Sequence, residues 1–405
     1  MDGSSGIAIF GTPLEFVFFA ATLLGIAVYH HRTLVIAVAG LVSIATYKSL
    51  VAGFNEGHGF DGLVAHLAHE WVIVANLGLL LTGFAILSRH FESSRLPDLA
   101  PKVLPEGWTG GLTLLALIFV ASGFLDNIAA ALIGATIAQH VYGGRVSLSY
   151  LAAIVAAANA GGAGSVVGDT TTTMIWIAGH SPIAVLHGYV GAIVCFAVFA
   201  VPAAAIQHRH QRIKRHDTSG IKPDWTRIAI VVAILLAAII SNVVTNIVNP
   251  ELSDQLPVIG LAVWAIIILA SVVRLPDFRA LLQASKGTIF LLCLVLSASM
   301  MPVQALPPAT WATTLSMGFI SAVFDNIPLT ALALNQGGYD WGFLAYAVGF
   351  GGSMVWFGSS AGVAVSGLFP EAKSVTGWLR AGWFLPAAYL VGFFAMMGVL
   401  GWQPE

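Results

Sequence analysis

Apolar stretches parted by short polar loops make up nearly all of this chain, and two of them are broken at the centre by the same dipeptide. The patterns are Ser122-Gly-Phe-Leu-Asp126-Asn127-Ile and Ser321-Ala-Val-Phe-Asp325-Asn326-Ile. Of 405 residues, 58% are hydrophobic and only 9% charged, whereas soluble domains carry about 25% charged residues. A soluble globular fold is excluded, and the chain reads as an all-α polytopic membrane protein. A carboxylate in the middle of a membrane helix costs about 2.5 to 3.5 kcal/mol even on the mildest insertion scale. No Lys or Arg neighbours either Asp-Asn pair in sequence, so a mobile small cation or a proton is the simplest neutralising partner.

Segments near the roughly 20 residues needed to cross a bilayer fall at about 14–30, 33–52, 63–88, 147–179 and 183–206, then at about 228–248, 258–273, 285–303, 341–369 and 380–400. The two interrupted stretches are 108–141 and 308–336. Beyond the Asp-Asn pair, 14 residues (Ile128 to Val141) remain in the first and 10 (Ile327 to Gln336) in the second. At 1.5 Å per residue these reach about 21 and 15 Å, short of about 30 Å of hydrocarbon. Both stretches therefore read as re-entrant hairpins that leave on the side they entered.

Charge parity fixes an orientation, because Lys and Arg accumulate in cytoplasmic loops. With the N-terminus outside, ten crossings and two hairpins place 16 of the 17 basic residues in cytoplasmic loops. Only Lys48 falls on the other side. Acids mark the outer loops instead: Glu56 and Asp61, Glu251 and Asp254, and Asp340.

Five crossings and one hairpin precede the basic loop at 207–227, and five crossings and one hairpin follow it. An odd number of crossings per half inverts the second half relative to the first, so the expected architecture is two inverted-topology repeats, 1–206 and 228–405. Such repeats, meeting in broken helices at the midplane, are a recurring transporter plan. The loop Gln207-His-Arg-His-Gln-Arg-Ile-Lys-Arg-His216 reads as a solvated positive connector, with a histidine pH sensor as the other reading. Cys195 and Cys293 lie in separate apolar runs without metal-type spacing, which points to buried thiols rather than a disulfide or metal site. Nothing in Met1 to Thr12 reads as a cleaved signal peptide, so the first apolar segment is expected to remain as a span.

After each hairpin comes a second matched element. One is Asn159-Ala-Gly161-Gly162-Ala-Gly164-Ser165-Val-Val-Gly168-Asp169-Thr170-Thr171-Thr172-Thr173; the other is Gly351-Gly352-Ser353-Met-Val-Trp-Phe-Gly358-Ser359-Ser360. Gly161, Gly162 and Gly168 align with Gly351, Gly352 and Gly358 at one constant offset. Glycine accepts dihedrals that other residues resist, so a broken helix is expected at about 147–179 and again at about 341–369. Carbonyls freed there need hydroxyls, amides or a cation as partners. The threonines after Asp169 can cap the second half-helix and offer oxygens to a hard cation. The Asp-Asn pairs also suit turns and N-caps; about 25 Å of helix leading to each pair favours a site over a solvated tip.

The order of these four motifs, Ser-x3-Asp-Asn, Asn-x-Gly-Gly-x5-Gly-Asp-x-Thr-Thr, Ser-x3-Asp-Asn-x-Pro and Gly-Gly-Ser-x4-Gly-Ser, resembles NhaD-type sodium/proton antiporters of the ion transporter superfamily. The resemblance runs from about Leu63 to Leu400. It implies exchange of cytoplasmic Na+ or Li+ for external H+ across a bacterial inner membrane, on a fold with two re-entrant hairpins and two broken helices. It also implies cation- and proton-binding roles for Ser122, Asp126, Asn127, Asn159, Asp169, Thr171, Thr172, Ser321, Asp325, Asn326, Ser353, Ser359 and Ser360, with Glu70 as the acidic residue of an early span. Na+ itself would be held by Asp126, Asn127, Asp169, Asp325 and Asn326. Gly164-Ser165-Val166 departs from the family's bulky-plus-proline form, which bears on ion choice.

The expected function is thus secondary active transport, not enzymatic chemistry, with no cofactor beyond the transported Na+ or Li+ and H+. The expected partners are the lipid bilayer and small cations, with no nucleic acid; a homodimer is compatible with a sequence that does not fix oligomeric state. The alternative is a citrate- or dicarboxylate-like anion transporter of the same superfamily, in which helix N-termini bind the anion; a non-transporting scaffold is a third reading. No Gly-x4-Gly-Lys-Ser/Thr motif points to nucleotide hydrolysis. The orientation predicts that a membrane-impermeant maleimide will label Glu251→Cys in intact cells but Lys222→Cys only after lysis; the reverse pattern would invert the topology.

Overall fold

The computed structural model describes residues 7–405 except 10–11, 30–31, 124, 167, 179, 215–221, 303–306 and 325. A two-residue β-ladder, β1 (Ala8–Ile9) against β2 (Thr12–Pro13), precedes a chain that is otherwise helical. The first half comprises α1 (Leu14–Val28), α2 (Thr33–Tyr47), α3 (Gly59–Ser93), α4 (Ala100–Val103), α5 (Trp108–Ser122), α6 (Asn127–Val141), α7 (Leu148–Gly162), α8 (Thr170–Ile177), α9 (Pro182–Leu186) and α10 (Gly188–His210). The second comprises α11 (Trp225–Val248), α12 (Pro250–Gln255), α13 (Val258–Ser271), α14 (Arg279–Ser299), α15 (Trp311–Ser321), α16 (Asn326–Gln336), α17 (Trp341–Gly351), α18 (Ser360–Leu368), α19 (Val375–Ala381) and α20 (Phe384–Leu400). This is an all-α polytopic membrane protein.

Among the described residues, length and apolarity alone select four helices able to cross a bilayer: Thr33–Ala52, Gly59–Phe91, Pro182–His210 and Trp225–Thr245. A fifth is the pair α19 and α20, bent by 60° at its break. The span expected at 380–400 is therefore not straight. Gly382 closes α19 by donating its N–H to the Trp378 carbonyl, and Leu385 N–H returns to the Gly382 carbonyl to restart the helix. Helix α3 is longer than the expected 63–88, because polar residues at both ends continue the winding beyond the apolar run.

Side-chain caps set many of the helix starts. Asp126, Ser147, Asp169, Ser181, Asp224, Asp340, Ser359 and Ser374 each accept a backbone N–H from the first turn of the helix that follows, satisfying donors that a helix leaves open. Thr310 and Thr313 form a reciprocal capping box at α15.

The core sits on α7 and α17. Every residue from Ser149 to Gly162 is buried, as is every residue of α17. Alanine and glycine dominate α7, and small residues let helices approach closely where lipid offers no hydrophobic drive between them. Helix α5 packs on α7, α15 packs on α17, and α7 and α17 touch each other. Two contacts recur at matching positions. The Ser122 hydroxyl donates to the Ala158 carbonyl at 2.6 Å, and the Ser321 hydroxyl to the Val348 carbonyl at 2.6 Å. A Cβ at Gly161 would meet the Phe119 carbonyl oxygen, and one at Gly351 the Gly318 carbonyl oxygen. Each of these pairs is related by the offsets that align the two Asp-Asn motifs and the two glycine pairs.

Lys48, the one basic residue on the unexpected side, is not in a loop. It begins a π-helical turn, Lys48–Ala52, and is 7% exposed. Its Nζ donates to the Met300 carbonyl at 3.1 Å and lies 5.4 Å from the Phe54 ring centroid, a cation–π arrangement. Cys195 and Cys293 are free and buried, as their apolar runs required. The linker residues 215–221 lie outside the described residues.

The backbone contact at Gly351 predicts that Gly351→Ala will lower the thermal unfolding midpoint, at an overpacking cost of about 1 to 3 kcal/mol. Gly367→Ala, with no atom near the added methyl, will leave the midpoint unchanged or slightly raised. Equal midpoints for the two variants would remove the close approach as a constraint.

Candidate functional site

At the first Asp-Asn pair the chain turns from α5 into α6. Asp126 is half-buried and caps α6, its Oδ1 accepting the Ile128 N–H at 2.8 Å. The adjacent Asn127 is 4% exposed and points the other way. Its Nδ2 donates to Asp169 Oδ2 at 2.9 Å and to Asn159 Oδ1 at 3.2 Å.

Asp169 lies in the break between α7 and α8. Its Oδ1 accepts the Thr171 N–H at 2.9 Å and the Thr171 hydroxyl at 2.8 Å. It is 2% exposed. Thr172 serves the backbone instead: its hydroxyl donates to the Ser165 carbonyl at 2.5 Å and to the Asp169 carbonyl at 2.8 Å. That closes one carbonyl freed by the break, while Ser165 donates to the Gly123 carbonyl at 2.7 Å and ties the break to the turn after α5.

Asn159 joins the halves of the chain. Its Nδ2 donates to Ser353 Oγ and Ser359 Oγ, both at 3.0 Å. Ser359 caps α18, accepting the Gly362 N–H at 3.3 Å. By the offset that aligns the glycine pairs, Ser359 occupies the place of Asp169. The Ser353 carbonyl, freed by the second break, accepts the Trp378 indole N–H at 3.0 Å. One chain of hydrogen bonds therefore runs from Thr171 through Asp169, Asn127 and Asn159 to Ser353 and Ser359.

The other residues expected at the site divide. Ser122 and Ser321 are buried, and each is turned to a helix carbonyl as described above. Asn326 is 2% exposed at the start of α16; its carbonyl accepts the Thr330 hydroxyl at 3.0 Å. Ser360 is 4% exposed, with its Oγ buried and without a hydrogen-bond partner among the described residues. Asp325 lies outside the described residues. Glu70, half-buried on α3, has His66, His69 and Glu56 as its titratable neighbours. His66 itself bridges Glu56 at 3.1 Å and Ser299 at 3.0 Å.

Chemically, the network offers one carboxylate among amide and hydroxyl oxygens. That donor set suits a hard cation. Among the described residues, no three His, Cys, Asp or Glu side chains converge, and the bonded neighbours of Asp169 are neutral amide and hydroxyl groups. Helices α5 to α8 and α15 to α18 contain no Lys or Arg. The sequence reading did not single out Ser165 or Trp378; a hydroxyl or indole beside a glycine-broken helix is the signal that would have found them.

The fold is that of a multi-pass, all-helical membrane protein. No family model matches the chain. It is 26% identical over 369 residues to the Na(+)/H(+) antiporter NhaD of Vibrio parahaemolyticus, covering 78% of this chain and 87% of that protein. It is also 26% identical over 449 residues to sodium/proton antiporter 1 of Arabidopsis thaliana, covering 92% of this chain and 75% of that protein. The NhaD of Vibrio cholerae is 24% identical over 298 residues, covering 62% of each chain. The particular resemblance is therefore to NhaD-type sodium/proton antiporters.

Removing the Asn127 amide takes one donor from buried Asp169, a loss of about 1 to 3 kcal/mol. Asn127→Ala is expected to lower the unfolding midpoint more than Ser366→Ala, whose hydroxyl bonds only within its own helix. An unchanged midpoint in Asn127→Ala would show that the amide does not support Asp169.

Proposed function

We propose that this chain is a secondary active antiporter exchanging Na+ or Li+ for H+ across a bacterial inner membrane. The observation that carries the reading is the Asn127–Asp169 bond continuing through Asn159 to Ser353 and Ser359. It gathers a buried carboxylate and neutral oxygens from both broken helices around one point. The similarity to proteins named sodium/proton antiporters supports the same assignment.

In this reading the two halves are inverted repeats, each with five crossings. Helices α5 and α6, and likewise α15 and α16, are re-entrant hairpins whose tips carry Asp126 and Asp325 inward. Their lengths support this: α6 has 15 residues and α16 has 11, or about 22 and 16 Å against about 30 Å of hydrocarbon.

A dehydrated Na+ would replace the hydrogen-bond donors around Asp169 with its own positive charge, taking oxygens from Asp169, Asn127, Asn159 and Thr171. Asp126 and Asp325 would add charge from the tips. When the ion leaves, a proton on a carboxylate takes over its neutralising role. Cation and proton share one site, so release of one requires arrival of the other. Alternating access would expose that site to each side in turn by moving one part of each repeat around it.

An anion would meet different chemistry. The helix N-termini that could hold it at α6 and α8 are already capped by Asp126 and Asp169. Negative side chains there oppose a carboxylate substrate, which disfavours the citrate-like alternative.

Everted vesicles loaded with a pH-sensitive dye test the proposal. Addition of Na+ or Li+ is expected to dequench the dye, and Asp126→Ala, Asp169→Asn or Asp325→Ala to reduce the response at least tenfold without loss of protein from the membrane. Near-normal exchange in one variant would remove that carboxylate from the mechanism. Uptake of labelled citrate or succinate without a cation response would overturn antiport.

A further inference from the structure

Away from the Asp169 network, a cavity of about 710 Å3 opens between α2, α3, α14 and α18, within the range of about 300 to 1,000 Å3 usual for ligand sites. Four cationic residues line it, Arg32, Arg89, Lys286 and Lys373, against the single acid Glu371. All four belong to segments that charge parity assigns to the cytoplasmic side. Among the described residues, the side chains of Arg32, Lys286 and Lys373 make no hydrogen bond or ion pair. Burial and the neighbouring Lys286 pull the Lys373 ammonium below the ordinary lysine range, as expected where like charges face one another without a counterion.

The rest of the lining is apolar, with Leu34, Leu81 and Val363 among it. Trp356 also lines the cavity; it is 2% exposed, and its indole N–H is buried without an acceptor among the described residues. A cation would be repelled from such a cavity. A small free anion would satisfy the charges but gain nothing from the walls. An amphiphile with an anionic head satisfies both, because basic pockets between membrane helices on the cytoplasmic side suit anionic head groups.

We propose that this cavity binds an anionic phospholipid of the cytoplasmic leaflet, with its phosphodiester held by Arg32, Lys286 and Lys373 and its acyl chains against the apolar wall. The lipid would sit between α14 and α18, the helix that follows the second break, and so could bias the position of that helix. The proposal does not rest on Na+/H+ exchange, and binding reads it without any transport measurement.

The purified full-length protein in detergent is titrated with phosphatidylglycerol, phosphatidylcholine of the same chains, or inorganic phosphate, and the unfolding midpoint is followed. Phosphatidylglycerol is expected to raise the midpoint saturably, the other two to leave it unchanged, and Lys286→Gln/Lys373→Gln to weaken the effect by about tenfold or more. An equal response to phosphatidylcholine or phosphate, or undiminished affinity in the double variant, would overturn the site. Should that variant fail to fold, quenching of fluorescence by phosphatidylglycerol with brominated chains is compared between the unmodified protein and Trp356→Phe. Quenching that is independent of Trp356 also overturns the proposal.

Discussion

Two helices stop and restart inside the most deeply buried part of this bundle, and everything else accommodates the backbone groups that those breaks release. In lipid an open carbonyl or amide costs several kcal/mol. Here Thr172 and Trp378 donate to carbonyls within the breaks, while Asp169 and Ser359 accept N–H groups where the helices resume. Glycines at 161 and 351 bring the preceding helices close enough for Ser122 and Ser321 to bond helix carbonyls. The polar interior is thus primarily a solution to a backbone problem.

That solution also concentrates charge where it is useful. A carboxylate at a helix N-terminus is favoured by the dipole, so Asp169 and Asp126 are tolerable in a setting that otherwise penalises them. The Asp169 cap also leaves its second carboxylate oxygen facing the Asn127 amide. Capping and carboxylate placement thus fall to the same side chains.

Much of this was legible in the sequence because its cause is local. The helix edges follow the apolar runs closely: 228–248 was expected and Trp225–Val248 is found. Asp126-Asn127 and Asn326 fall at helix starts, and the glycine pairs fall at helix ends. What could not be read depends on the third dimension. Ser122 and Ser321 carry the same hydroxyl as Ser353 and Ser359, yet the first two face helix carbonyls and the last two face Asn159. The bend at Gly382 depends on local packing within a run that is apolar throughout. Glu70 lies in an apolar span like the aspartates, but its titratable neighbours are His66 and His69 of its own helix and Glu56 just before it.

The matched breaks are not identical in chemistry. Where the first has Asn159 and Asp169, the second has Gly349 and Ser359 at aligned positions. Because the first break brings a carboxylate and a long amide where the second brings a short hydroxyl and bare backbone, the negative charge of the two breaks lies on the first alone.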